Sequence, residues 1–441
     1  MGMTNWDDEK MHQLTEQLNE ISVPKQALEQ ARINAQRQNR RHRKKIRRTW
    51  QTVALIVTIF FVFVTSVRVS PAFANAVSKI PGLSPIIELI AFDKGLEDIV
   101  ANDYYEEILM SETQNELTFT LLGVIADETG MLLSYKIASP NDLQGLTLDH
   151  LELELMHGGN PIEAGVGYGW TAHYEPIYEI ENTINVTATE PIDYSNRNFE
   201  LNFKLQKGQE MTFSIPFTLK KEIVKTKHYV VDEKVMVDGQ TIEVKSLEIS
   251  PLRAGIKIAI DPNNTMQILQ FNEMKLIDEK GEDWGKIQNG TIGFGGIRDG
   301  VVTLFMQSNY FREPKNLTLV IPEIEALPKG EDFITVDFDK QQVLYQPEIL
   351  DFTIQFKNRN TFFYLIRDVN KQTTFFSQGV DAEGKAVFER SSWRSESDNL
   401  YEVGSQFEAN EGVMINPVKI MVNSFPNYLK GELKVEVPLG E

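Results

Sequence analysis

The six histidines are the residues best suited to metal or acid–base chemistry in this 441-residue chain, and their spacing argues against both. His12 and His42 stand near the N-terminus, and His150, His157, His173 and His228 are scattered beyond it. His150 and His157 are seven residues apart across an alternating segment, with Glu152 and Glu154 between them. On a strand, an odd separation puts side chains on opposite faces, so this pair is not arranged to share a zinc ion. Cysteine is absent, which excludes thiol nucleophiles, thiolate metal sites and disulfides. Carboxylates are plentiful but dispersed in the manner of solvated faces, and no nucleophile elbow, Walker loop, His-Glu-x-x-His pair or calcium loop occurs. The sequence therefore predicts no enzyme and no cofactor.

Binding is the remaining chemistry, and two glycine-rich stretches offer places for it. Gly158-Gly159 leads to Gly165-Val166-Gly167-Tyr168-Gly169-Trp170, and Gly290-Thr291-Ile292-Gly293-Phe294-Gly295-Gly296 lies farther on. Neither opens a helix after a strand as a phosphate cradle must, so both read as loops between strands. In the first, Tyr168, Trp170, His173 and Tyr174 cluster beside flexible backbone. Core packing is the ordinary fate of such aromatics; the alternative makes this loop the candidate ligand contact.

The elements that must hold these loops are strands. From about residue 107 apolar residues alternate, as in Leu117-Thr-Phe119-Thr-Leu121, Leu151-Glu-Leu153-Glu-Leu155 and Phe199-Glu-Leu201-Asn-Phe203-Lys-Leu205. Asp238-Gly239 between alternating runs predicts a tight hairpin. The pattern also echoes itself. Leu117 to Ile137 parallels Ile242 to Ile260, and the Lys-Gly turns at Gly208, Gly330 and Gly431 each precede a strand that could close a sheet. These echoes predict tandem immunoglobulin-like β-sandwiches over 107–221 and 222–340, with a third β-rich domain over 341–441. The dense aromatics from Phe352 to Val369 leave open whether that part extends the second domain.

The N-terminal part differs. Met11, Leu14, Leu18 and Ile21 recur at helical steps, and a second helical stretch after Pro24 carries Leu28. Arg40, Arg41, Arg43, Lys44, Lys45, Arg47 and Arg48 then precede Trp50 to Val69, which holds one charge, Arg68. A stretch of ~20 apolar residues is the length of a membrane-crossing helix, and a basic flank faces the cytoplasm. Residues 1–49 carry 11 basic and 6 acidic side chains, whereas the rest carry 33 and 57, an imbalance that disfavours nucleic acid as a partner of the outer part. The expectation is a mainly β protein with a cytoplasmic helical segment over 1–49, a transmembrane helix over 50–69, a juxtamembrane stalk over 70–106 and extracellular β domains. Membrane lipid would be a partner. Ala72-Phe73-Ala74 has the form of a signal-peptidase site, but the 49 residues before the apolar run are too many for an ordinary signal peptide, so a retained anchor is expected.

The stretch Asn75-Ala-Val-Ser-Lys-Ile-Pro-Gly-Leu-Ser-Pro-Ile-Ile-Glu-Leu-Ile-Ala-Phe92-Asp93-Lys94-Gly95-Leu96 resembles the DUF4179 family of Firmicutes membrane proteins. The region from Val235 to Ile260, with Ile249-Ser250-Pro251-Leu252, is similar to the immunoglobulin-like DUF5643 domain. The resemblance implies an anti-sigma factor or surface-stress regulator that acts with an extracytoplasmic-function sigma factor. Ile21-Ser-Val-Pro24-Lys-Gln-Ala-Leu28 also resembles the Ile-Pro-x-x-Leu element of some membrane-bound anti-sigma factors, although their cysteine-containing zinc signature has no counterpart here. On this reading Leu14, Leu18, Ile21 and Leu28 would hold the sigma factor, and the β body would sense a cell-surface or wall ligand. The alternative is an adhesion or wall-interaction protein with no signalling role.

Overall fold

In the computed structural model, the described residues are 12, 15–16, 83–90, 93–169, 175–287, 291–358, 360–367, 375–397 and 400–439. The chain divides into two compact units, Met1–Phe73 and Ala74–Glu441; only His12, Thr15 and Glu16 of the first are described. The second unit begins with two short helices, α1 (Ser84–Ile90) and α2 (Lys94–Ala101).

Nine strands follow: β1 (Glu106–Gln114), β2 (Leu117–Asp127), β3 (Gly130–Ala138), β4 (Thr147–His157), β5 (Asn160–Pro161), β6 (Ala164–Tyr168), β7 (Glu179–Ala188), β8 (Asn198–Lys207) and β9 (Gln209–Thr218). They form two sheets, ordered β1-β2-β3-β7-β6 and β5-β4-β8-β9, around one core. Strict alternation sets the inner faces. Phe199, Leu201, Phe203 and Leu205 on β8 meet Met211, Phe213, Ile215 and Phe217 on β9, all buried, with the hydrophilic positions between them on the other side.

The next ten strands are β10 (Lys227–Val237), β11 (Gln240–Ile249), β12 (Ala254–Ile260), β13 (Met266–Asn272), β14 (Lys275–Asp278), β15 (Asp283–Gly285), β16 (Gly293–Gly296), β17 (Val301–Met306), β18 (Leu317–Ile321) and β19 (Glu323–Pro328). The chain then builds a third module from β20 (Phe333–Asp337), β21 (Gln342–Tyr345), β22 (Thr353–Asn358), β23 (Thr361–Arg367), β24 (Phe376–Val380), β25 (Ala386–Ser397), β26 (Leu400–Ala409) and β27 (Val418–Val422). It returns as β28 (Leu433–Val437), which pairs antiparallel with β18 from Leu317↔Val437 to Ile321↔Leu433.

That return makes the second module a repeat of the first. Its sheets run β10-β11-β12-β17-β16 and β15-β14-β18-β28, matching β1-β2-β3-β7-β6 and β5-β4-β8-β9 strand for strand. Where the first module makes a tight turn at Lys207-Gly208, the second has β19 and the whole third module inserted before β28. The Lys430-Gly431 echo is therefore real, but the strand after it completes the second module's sheet rather than a third one. The Asp238-Gly239 turn is as expected, with both residues at positive φ (47° and 75°) and Val237 paired to Gln240.

The third module departs from the expected series of immunoglobulin-like sandwiches. Its strands form one eight-stranded sheet, ordered β21-β20-β27-β24-β25-β26-β23-β22, curled into a nearly closed barrel around a single core. Phe338, Phe352, Phe362, Tyr364, Phe375, Phe376 and Phe407 fill it, so the aromatic run beginning at Phe352 belongs here. Curling around bulky rings gives the sheet a core without a facing second sheet.

The membrane expectation is corrected as well. Among the described residues no helix is long and apolar enough to cross a membrane. α1 and α2 have 7 and 8 residues against the ~20 a span needs, and their apolar residues Ile86, Ile90, Leu96 and Ile99 are buried in protein contacts. The single-span, N-terminus-inside localisation and the lipid partnership are withdrawn. The segment 50–69 and the basic residues from Arg40 to Arg48 lie outside the described residues, as do Leu14, Leu18, Ile21 and Leu28.

Candidate functional site: a glycine-faced cleft

Gly158-Gly159 form the turn between β4 and β5, as a loop reading expects, but the later part of the first glycine-rich stretch is an edge strand. β6 pairs antiparallel with β7, with Gly165 opposite Thr187, Gly167 opposite Asn185 and Tyr168 opposite Ile184. The Gly169 N–H continues the ladder to the Thr183 carbonyl at 3.3 Å. A strand sends alternate residues to opposite faces, so Gly165, Gly167 and Gly169 share one face and leave it without side chains. Beside that bare face run Thr183, Asn185 and Thr187. The other face carries Val166 and Tyr168, which pack against the first core.

The bare face forms one wall of a cleft of about 390 Å3. Leu89 of α1 and Leu132 of β3 close it with apolar surface, and Thr291, just before β16 of the second module, closes it from the other side. At two of the glycines a neighbouring side chain comes close. A Cβ on Gly165 would lie 2.6 Å from the Thr291 Oγ1, and one on Gly169 would overlap the Asn182 amide. The two glycine-rich stretches thus meet at one place. They are also equivalent in the repeat, since β16 holds in its sheet the edge position that β6 holds in the first. β16 borders a second cavity of about 250 Å3, facing Gln378, Val422 and Asn423 of the third module.

The cleft's polar groups are held from behind. The Asn182 Oδ1 accepts from the Thr183 N–H at 2.8 Å. The Asn185 Oδ1 accepts from Thr187 Oγ1 and from Nη2 of Arg253, each at 3.3 Å. Arg253 belongs to the second module, is 3% exposed, donates through Nη1 to the Thr187 hydroxyl and lies 5.3 Å from the centre of the Phe305 ring. Burial lowers its pKa, against the raising influence of Asp127 and Asp93.

Arg253 ends the turn joining β11 to β12, and that turn meets its counterpart between β2 and β3. The Leu252 N–H donates to the fully buried Asp127 at 2.7 Å, and the Ser250 and Thr129 hydroxyls are 3.3 Å apart. Around them the Tyr194 hydroxyl donates to the Asp127 carbonyl at 2.7 Å, and Glu128 accepts from the Thr226 N–H at 2.8 Å. α2 adds a further clasp. Asp93 caps it by accepting from the Gly95 N–H at 2.8 Å, and Asp98 takes both Nε and Nη2 of Arg312 at 2.8 and 2.7 Å. Burial pushes the Asp93 carboxyl up to about 6, although the Gly95 and Leu96 N–H groups and Arg253 oppose the shift.

Of the aromatic residues expected to touch a ligand, Tyr168 borders the cleft but sends its ring into the first core, near Tyr135. Trp170, His173 and Tyr174 lie outside the described residues. The groups facing the cleft, Asn182, Thr183, Asn185 and Thr291, were missed. The signal that could have found them is the period-two glycine spacing, which marks a strand face open to close approach. His157 is engaged elsewhere, stacked on Phe199 at 4.5 Å and bonded to the Asn196 carbonyl at 2.9 Å.

Residues 41–139 match DUF4179, a domain of unknown function, and residues 226–356 match DUF5643, a family of unknown function. The α2 clasp is therefore a contact between the two matched regions. No curated protein matches the chain. A solved structure, described as the crystal structure of the conserved domain protein from Bacillus anthracis, is 13% identical with a TM-score of 0.37; the alignment covers 55% of this chain and 84% of that one. Both family resemblances hold, but the anti-sigma function drawn from them does not. It required a membrane span to hold a sigma factor at the bilayer, and none is found among the described residues. The sigma-factor partnership is withdrawn with it.

Proposed function

We propose that the chain is a non-catalytic binding protein of the adhesion or wall-interaction class, and that the cleft between β6, β7 and Thr291 is its ligand-contact site. The observation that carries this reading is the meeting of two glycine-rich edge segments at a cleft lined by uncharged polar side chains, one of which, Asn185, is held by a buried arginine. Preorganised donors on strands bind without first being ordered, which favours affinity. Catalysis would need a titratable group at the reacting atoms, and the one such side chain among the described lining residues, Tyr168, faces the core.

The test is co-sedimentation of the full chain with purified bacterial cell wall, comparing wild type with a Thr183→Val, Thr291→Val double variant. Retention that falls at least fivefold in the variant, with unchanged melting temperature, is expected. No retention of the wild-type chain, or equal retention of both, would refute the reading.

A further inference from the structure

We infer that the cleft takes an uncharged, acceptor-rich glycan segment, of the kind that carries acetamido and hydroxyl oxygens. This rests on the cleft being a binding site, as proposed above, and adds its ligand chemistry.

Thr183 is the informative residue. It is only 8% exposed and lines the cleft, yet its Oγ1 has no hydrogen-bond partner among the described residues. Facing the cleft, this hydroxyl is left to bond a ligand, as donor or as acceptor. The amides beside it are set up as donors. Asn182 and Asn185 each have the carbonyl oxygen engaged, by the Thr183 N–H in one case and by Thr187 and Arg253 in the other, which leaves their Nδ2 groups to offer. Thr291 adds a second hydroxyl from the opposite wall. The two amide Nδ2 groups call for acceptor oxygens on the ligand, and the two hydroxyls can donate to further ones.

Those oxygens need not carry charge. Among the described lining residues there is no Lys, Arg, Asp or Glu. The nearby Arg253 is buried and already bonded to Thr187 and Asn185, so it is not available as an anion partner. The 57 acidic side chains after residue 49 outnumber 33 basic ones, which further disfavours a phosphate-bearing polymer. Leu89 and Leu132 supply apolar surface for the C–H faces of a sugar ring.

Isothermal titration of the full chain with chitotetraose, its fully deacetylated counterpart and polyglycerol phosphate tests this. Binding of chitotetraose at least tenfold tighter than either charged probe is expected. Thr183→Val and Thr291→Val should each weaken it three- to tenfold without lowering the melting temperature. If chitotetraose gives no heat at millimolar concentration while wall co-sedimentation remains sensitive to the double variant, the glycan assignment fails and the binding site stands. Tighter binding of polyglycerol phosphate, or chitotetraose binding unaffected by both substitutions, would also overturn it.

Discussion

Arg253 of the second module holds Asn185 of the first: its Nη2 donates to the asparagine Oδ1 at 3.3 Å, and Nη1 donates to Thr187 one ladder step away. A contact that joins the modules is therefore also one that aims a cleft amide.

Replacing Arg253 tests both roles at once. Arg253→Met keeps the stem against Phe305 but leaves Thr187 without its donor, Asn185 with only the Thr187 hydroxyl, and the buried Asp127 without a nearby positive charge. A loss of about 2–4 kcal/mol in unfolding free energy is expected. Arg253→Lys should recover little of it, since an ammonium cannot serve two acceptors in the guanidinium's fixed geometry. Urea denaturation of the three proteins checks this.

Gly95→Ala should destabilise even though alanine is the better helix former by about 1 kcal/mol. A Cβ there would lie 2.8 Å from the Ser308 carbonyl oxygen and 3.0 Å from its nitrogen, both backbone atoms that cannot rotate away. A net cost of about 1–3 kcal/mol is expected from the displaced α2 contact. Differential scanning calorimetry would show it, and an unchanged or raised melting temperature would rule out the close docking.

Asp93 gives the junction a pH dependence of definite sign. Its carboxyl is raised from 3.8 to about 6 in the folded chain, so the folded state holds a proton that the unfolded state releases. The contribution is fully present below about pH 4 and is lost as pH rises through 6. Asn caps a helix about as well as Asp and carries no charge to desolvate. Asp93→Asn should therefore flatten the decline in stability between pH 4 and 6, a change of order 1–3 kcal/mol. At pH 7.5 the variant should be at least as stable as wild type.

Glu325 ties the inserted module's return to the second module. It is 4% exposed and accepts from Asn272 Nδ2 at 2.8 Å, the Ser424 hydroxyl at 2.6 Å and the Phe425 N–H at 3.0 Å. Glu325→Ala leaves three donors unpaired, for an expected cost of about 2–4 kcal/mol. Limited proteolysis should then cut between residues 423 and 432, which wild type should resist.

The local pattern carried much of this fold. Alternation marked β2, β4 and β8, Asp238-Gly239 marked its hairpin, and the echo of Leu117–Ile137 in Ile242–Ile260 falls on β2-β3 and β11-β12, which hold equivalent places in their sheets. What alternation cannot encode is the partner. Leu433 to Val437 reads as a strand in any context, and only the assembled sheet brings it to Leu317–Ile321 across an entire inserted module. The site was hidden for a different reason. Glycine at 165, 167 and 169 weakens a strand signal, so β6 read as a loop. Thr183 and Asn185 look like ordinary solvated positions until the second module and α1 cover them. Tyr168 drew attention as an aromatic beside glycines, and the same alternation that bared the glycines turned it inward. An apolar run of the right length suggested a bilayer; nothing in the described helices follows it.

The most direct measurement is hydrogen exchange of the full chain, followed by mass spectrometry, with and without saturating soluble cell-wall fragments. The account predicts slowed exchange in peptides covering 164–169 and 182–187, with a smaller effect around Thr291 and none on the outer strand β10. Protection confined to other surfaces, or none at all under conditions where the fragments bind, would contradict it.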